Sequence, residues 1–417
     1  MRSLQPLPRY RIYSRPRHYG SIAREALTRR WLQGDSCREL EEAIQKRQGI
    51  ANALCVAKAR VGIYLAIRAL VRPGQKVVLS PYTISDVINM VICAGGVPVF
   101  CDLERESCNL DPADLERLVD ADTGAVMVTH LHGLACDMDR IAALCRARGV
   151  ALIEDAAQAF GARLGGRAVG SFGDVGIYSF GMYKNVNAFF GGMLVTPRAD
   201  LAARLRSEVD RFPAQELGYF LSKASSGLAS DVATWPPLFK SLTYRVFRFG
   251  FLHQIALLNN QVTVDAHPEL KRALPESYLR RLTPMQARLI LPQLEQVDEH
   301  IRARVRAAVR YHEGLRDVGE IVLPPLRTDF SHMYTYFPIQ VKDRADFLRF
   351  LMRERRDVAA QHLHNCADLP CFAEFRRDCP NARETARSVA LLPTYPRYGD
   401  ADIDRNIETV RRYFRRP

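Results

Sequence analysis

Short apolar runs of strand length alternate with longer amphipathic stretches along most of the chain, the pattern of an α/β fold. Residues 52–59 (NALCVAKA) are the first such run, and Arg60 to Leu70 carries apolar residues at helical spacing. The stretch KVVLSPYTISDVINMVICAGGVPVFCD, from Lys76, reads as strand, helix, strand. Asp111-Pro112 opens a short helix that runs to Val119, a good start signal because Pro suits the first helical position. Ala125 to Thr129 is another apolar run. The most regular part lies between Val150 and Thr196. There Val150 to Ile153 ends in two acids, Glu154 and Asp155, and a Gly-rich segment follows from Gly161 to Gly173. Val175 to Phe180 is a second apolar strand with Ser179 near its end, and Met193 to Thr196 is a third, after Gly191-Gly192. A carboxylate at one strand tip and Lys184 just beyond another predict a site at the carboxyl edge of a mixed, mainly parallel sheet.

The flanks divide the chain further. Residues 1–20, rich in Arg, Pro and Tyr, read as an extended arm, and 21–48 as helical with a break at WLQGDS. Arg288 to about Tyr311 reads as a long helix that Pro292 kinks or delays. Beyond it YTYFPIQV is a strand, RADFLRFLMRER a helix, DVAAQHLHN a strand with its exit, and a terminal helix starts at Asp400. The expected division is an arm (1–20), a large domain (21–295) and a smaller C-terminal α/β domain (296–417). One stretch breaks the alternation, an insertion over about 213–275. From Leu217 to Val262 it carries four Lys/Arg (223, 240, 245 and 248) against one acid, Asp231, among many aromatic residues. Three readings suit it: extra packing on the large domain, contact with an anionic membrane or lipid-like substrate, or a partner contact.

Charge changes the picture only in part. The net charge of +13 is compatible with anionic partners, or with a dispersed excess of arginine. Five arginines fall within the first 17 residues, and RRYFRRP closes the sequence. Nucleic acid is not the expected partner. Ten cysteines include no CxxC pair, so they read as reduced thiols of a cytoplasmic protein, with no metal site. Neither a signal-peptide core nor a spanning apolar run is visible in the sequence.

The residues around Lys184 suit pyridoxal phosphate. That cofactor needs a lysine amine to bond its aldehyde, a carboxylate to keep its ring nitrogen protonated, and donors for its phosphate. Lys184, Asp155 and Ser179 supply the three kinds of group. Alone, Asp155 reads equally as a helix cap and Lys184 as a surface lysine.

EDAAQAFGA, GSFGD, YSF and Lys184-Asn185 followed by Gly191-Gly192, in this order and spacing, resemble the DegT/DnrJ/StrS-type sugar aminotransferases. The resemblance runs from about Trp31 to about Phe414, interrupted between about Phe212 and Glu276. It implies a pyridoxal-phosphate enzyme of fold type I, with a seven-stranded large-domain sheet and a homodimer. Lys184 would be catalytic, with Asp155 on the ring nitrogen and Gln158 beside the ring. The implied reaction is amination of a keto-sugar nucleotide or related ketone by glutamate or glutamine. Relatives that dehydrate instead typically lack the lysine.

This sequence departs from the family pattern at several positions. The phosphate turn, Ser-Gly-Thr in the family, is Lys58-Ala59-Arg60 here. Backbone amides at a helix start would remain, and two cations would replace the hydroxyl, with the more rigid Arg60 expected to carry more of the binding. Alternatively both are solvated. Ile84 stands where many members have a ring-stacking aromatic, and Tyr82 is the other candidate to cover the ring. His130-Leu131-His132-Gly133 is close to His-Leu-Tyr-Gly, and the two histidines read as structural or substrate-facing. Leu279 replaces an asparagine that reaches the partner's phosphate, a role open to Arg280 or Arg281. His362 lies where the family places a substrate-facing histidine. The altered turn, Ile84 and Leu279 also leave room for a non-catalytic member that uses the fold as a scaffold, with peripheral contact at the inner face of the membrane.

Overall fold

The computed structural model describes residues 6–12, 14, 16–255, 265, 267–360 and 362–416. Its centre is a seven-stranded sheet of β1 (Asn52–Val56), β2 (Lys76–Leu79), β4 (Val97–Phe100), β5 (Thr123–Thr129), β6 (Ala151–Asp155), β9 (Val175–Ser179) and β10 (Gly192–Thr196). The spatial order is β1-β10-β9-β6-β5-β2-β4. Strand β10 runs antiparallel to both neighbours, β1 and β9, and the other four pairings are parallel. The carboxyl ends of β1, β9, β6 and β5 therefore share one edge with the amino end of β10. Two small ladders complete the region: β3 (Tyr82–Thr83) with β14 (His364–Asn365), and β7 (Arg163–Leu164) with β8 (Arg167–Ala168).

Successive side chains of the strands face opposite sides, and the apolar runs are buried on both. Ala125, Met127 and Ile153 join one cluster with residues of α3 (Ala59–Leu70), α4 (Ser85–Cys93) and α7 (Ala199–Val209). Val126, Val128 and Leu152 join another with α5 (Pro112–Leu118) and α6 (Met138–Arg148). Doubly covered strands need continuous apolar sequence, which is why they were legible as runs.

A second sheet, β11-β12-β15-β13, is wholly antiparallel and is built from β11 (Ile321–Val322), β12 (Phe337–Val341), β13 (Ala359–Ala360) and β15 (Val389–Leu392). The long helix expected from Arg288 is two helices, α11 (Pro284–Ile290) and α12 (Val297–Leu315), joined by a 3-10 segment over Leu291–Gln296 that contains Pro292. Three helices, α13 (Arg344–Arg353), α14 (Pro380–Ser388) and α15 (Asp400–Phe414), finish the chain. The expected strand DVAAQHLHN splits into β13 and β14, and β14 leaves the second sheet to pair with β3.

At the amino end the first helix begins earlier than expected. Helix α1 (Pro16–Leu27) starts inside the expected arm, with proline as its first residue, and α2 (Ser36–Gln48) follows the WLQGDS break. Before α1, Pro8 and Arg9 are tied to the C-terminal part of the chain. The Arg9 amide and Nε donate to the Asp357 carboxylate at 2.9 and 2.7 Å, and the Tyr395 hydroxyl donates to the Pro8 carbonyl at 2.9 Å. The insertion folds as α8 (Leu217–Ala233), a short α9 (Pro236–Leu238), a π-turn over Phe239–Thr243 and α10 (Tyr244–Leu252). Residues 256–264 and 266 of the expected insertion lie outside the described residues.

Candidate active site

The shared edge of the sheet gathers the site. Asp155 ends β6 and pairs in register with Thr129 and Ile177. Ser179 ends β9, directly opposite Gly192. Lys184 follows in a tight turn that its own N–H closes on the Gly181 carbonyl at 3.0 Å. Gly192 explains the closeness of the next part. A Cβ there would stand 2.7 Å from the Ala59 amide nitrogen, so glycine lets the start of α3 lie against the strand opposite Ser179. Lys58 is the N-cap of α3 and offers no side-chain cap. The first amides of the helix therefore point their positive end at the edge where Ser179 lies.

Burial tunes the two central groups in opposite directions. Burial pushes the Asp155 carboxyl up, against the Ala157 N–H that donates to it at 3.0 Å and the charges of Lys184 and His130. Burial lowers the pKa of Lys184, and Asp155 opposes that. Lys184 is thereby closer to a free amine at neutral pH than a surface lysine, as a nucleophile must be. Gln158 is held in place from two sides. Its Oε1 accepts from the His132 amide at 3.0 Å, and its carbonyl accepts from the Thr335 hydroxyl at 2.7 Å. Its NH2 group is the part left for a ligand.

The altered phosphate turn separates its two cations. Arg60 forms an ion pair with Asp86, which also accepts from Lys271 Nζ at 2.8 Å and the Tyr278 hydroxyl at 3.2 Å. Lys58 instead sits between two rings, 5.0 Å from the Tyr219 centroid and 4.4 Å from that of Tyr278. Burial, then the charges of Arg60 and Lys223, bring its pKa down to about 8. Arg60 thus has a carboxylate partner in Asp86, whereas Lys58 has no ion pair among the described residues. None of Asp86, Tyr219, Lys271 or Tyr278 was singled out from sequence for this role. Their sequence separations are too large for any local pattern to reveal the cluster.

The remaining candidate residues have distinct surroundings. His130 is fully buried. Its Nε2 lies 3.3 Å from Glu154 Oε2 and its Nδ1 3.1 Å from the Cys136 amide nitrogen; burial lowers its pKa, but Cys136 and Glu154 outweigh that and raise it to about 10, so both ring nitrogens are engaged inside the protein. Glu154 in turn accepts from the Gly170 and Gly173 amides at 2.9 and 2.6 Å. His132 is also fully buried, and burial lowers its pKa to about 3. Tyr82 is wholly inside the apolar core, and Ile84 packs against the same cluster. Arg281 is exposed, and its backbone bonds to Pro213 and Gln215. His362 is half-buried, its pKa lowered by burial and by Arg9, Arg344 and His364. Sequence reading also missed Tyr10 of the arm. Its ring stands 4.6 Å from that of Tyr183, the neighbour of Lys184, so the arm reaches the mouth of the site.

A sequence model of the DegT/DnrJ/EryC1/StrS aminotransferase family matches residues 20–215 and 253–411. The chain belongs to that family. This aminotransferase is 32% identical over 397 residues to the GDP-perosamine synthase of Escherichia coli O157:H7, covering 94% of each chain. It is 28% identical over 399 residues to the spore coat polysaccharide biosynthesis protein SpsC of Bacillus subtilis (strain 168), covering 93% of this chain and 92% of that one. Among solved structures it resembles DesI, crystallised in the presence of its TDP-sugar product, with a TM-score of 0.73 and 25% identity over 99% of this chain and 94% of that chain.

Tested against the cofactor of such enzymes, the donor set fits. A buried carboxylate faces a lysine of lowered basicity, and a hydroxyl, an uncapped helix start and a cation lie on the same edge.

Proposed function

We propose that this aminotransferase uses pyridoxal phosphate to convert a keto-sugar nucleotide to an amino sugar, with glutamate or glutamine as donor. The observation that carries the proposal is the convergence of Lys184, Asp155 and Ser179 on one sheet edge. The sugar nucleotide is supported by the GDP-perosamine synthase and by the DesI structure with its TDP-sugar product. When bound, the cofactor supplies an electron sink for the carbon that gains or loses nitrogen.

The protein's own part follows from its residues. Asp155 would hold the ring nitrogen of the cofactor and favour its protonated form by a charge-assisted hydrogen bond. Lys184 Nζ would bond the cofactor and, as a free amine, would hold and move a proton at the substrate carbon, which its lowered basicity favours near neutral pH. Ser179 Oγ, the amides of Ala59 and Arg60 and the Lys58 ammonium would hold the phosphate, and Ile84 and the Gln158 amide would contact the ring.

A homodimer is the proposed assembly, as for fold type I enzymes. Its cofactor contact differs from the family's asparagine, because Leu279 packs into an apolar cluster of its own chain. The proposed location is the cytoplasm, at the inner face of the membrane through the basic insertion.

Incubation with keto-sugar nucleotides of GDP, UDP and TDP, each with glutamate and glutamine, tests the reaction. An amino-sugar nucleotide detected by mass is the expected product. Its absence from every combination, with the cofactor bound, overturns the proposal.

A further inference from the structure

The residues 216–252 that the family model leaves unmatched concentrate the protein's exposed apolar surface. Among the described residues, 13 large apolar side chains are exposed, and eight of them fall between Tyr219 and Phe249. They are ordered rather than scattered. Leu221, Leu228 and Val232 stand at i, i+7 and i+11 of α8, one stripe that Trp235 extends. Leu242, Val246 and Phe249, at i, i+4 and i+7, form a second stripe. Adjacent faces of the same helices pack inward, through Phe220, Ala224 and Gly227 of α8 and through Phe239 and Tyr244. The exposed stripes are therefore not what attaches the insertion to the fold.

Charge says what covers them. Lys240 and Arg245 flank the second stripe, and among the described residues neither is paired with an acid. The one acid between Leu217 and Leu252, Asp231, already accepts from the Tyr19 hydroxyl at 2.6 Å. An apolar face with Trp and Phe, bordered by free cations and no free acid, matches the interface of an anionic bilayer. At 17 residues, α8 is about 25 Å long, and no helix among the described residues is long and apolar enough to cross a membrane. The helices can lie in the headgroup layer but cannot span it.

We propose that α8 to α10 dock this aminotransferase on an anionic lipid surface, with the Leu228–Trp235 and Leu242–Phe249 stripes in the headgroup region and Lys240 and Arg245 against lipid phosphates. This deepens the location proposed above and does not depend on the reaction. The test is co-sedimentation of the full chain with vesicles of phosphatidylcholine alone or with roughly one-third phosphatidylglycerol, at low and high salt. The parent should pellet only with the anionic vesicles, and salt should release it. A Lys240→Gln/Arg245→Gln variant should partition about 25-fold less, about fivefold for each cation. A Leu228→Ser/Trp235→Ser/Phe249→Ser variant should stay in the supernatant while keeping the parent's circular dichroism and its amino transfer without vesicles. The inference is overturned if the parent ignores anionic vesicles, or if either variant binds them as the parent does. It is also overturned if the apolar variant changes oligomeric state in solution while vesicles leave the parent unbound, which would make the face a contact between copies.

Discussion

Replacing Lys58 should weaken cofactor binding far more than replacing Arg60. The order follows from what each cation already touches. Arg60 is paired with Asp86, and Asp86 keeps Lys271 and Tyr278 if Arg60 is removed. Lys58 has two tyrosine rings and, among the described residues, no ion pair, and burial, then the charges of Arg60 and Lys223, bring its pKa down to about 8. An ammonium and one phosphate charge roughly 4 Å apart attract by about 4 kcal/mol at an effective dielectric near 20. Desolvation takes back part of that. Hydrogen bonds to charged groups net ~1.5–3 kcal/mol in proteins, or about tenfold to 150-fold in affinity. Lys58→Gln should lose that much, and Arg60→Ala less than about threefold. The assay is titration of apo-protein with pyridoxal phosphate, followed by absorbance, for the parent and both variants. Its pH dependence gives a second check. A phosphate beside Lys58 favours the charged form, so binding takes up a proton above pH 8. Parent affinity should fall as pH rises through 8, and its advantage over Lys58→Gln should shrink with it. A tenfold loss in Arg60→Ala with none in Lys58→Gln would refute the reasoning.

Three further outcomes are expected. Lys184→Ala should abolish amino transfer while leaving the far-ultraviolet circular dichroism and the urea midpoint unchanged, since the side chain lies on a turn at the site mouth; turnover near the parent rate would remove it from the mechanism. Asp155→Asn should still bind cofactor but lose most turnover, because an amide cannot sustain a protonated ring nitrogen, a contact of ~1.5–3 kcal/mol; steady-state rates decide it, and parent-like rates would make Asp155 a simple cap. Glu154→Gln should lower unfolding stability in urea by at least ~1.5–3 kcal/mol, because one buried carboxylate serves His130, Gly170 and Gly173; an unchanged midpoint would show the clasp to be worth nothing net.

Much of the fold was legible because doubly covered strands must be apolar throughout, and Val150–Ile153 and Val175–Phe180 are. Asp155, Ser179 and Lys184 were legible because each sits at or just past a strand end. Burial of histidines was not. His130 and His132 have the same sequence setting as a substrate-facing pair, and only the packing of Glu154 and the Cys136 amide around His130 shows its structural work. The division of labour between Lys58 and Arg60 was hidden for a related reason, since Asp86 and Tyr278 arrive from α4 and from the far side of the insertion. The insertion's helices were predictable from apolar density, but which apolar faces pack and which stay exposed depends on their contacts with the rest of the fold.

The central claim is that Lys184 carries the cofactor opposite Asp155. The most direct measurement is borohydride reduction of the protein loaded with pyridoxal phosphate, followed by peptide mass mapping. A single phosphopyridoxyl adduct on Lys184, absent from Lys184→Ala, is the predicted result. An adduct on another lysine, or no adduct in protein that retains its fold, would contradict the account.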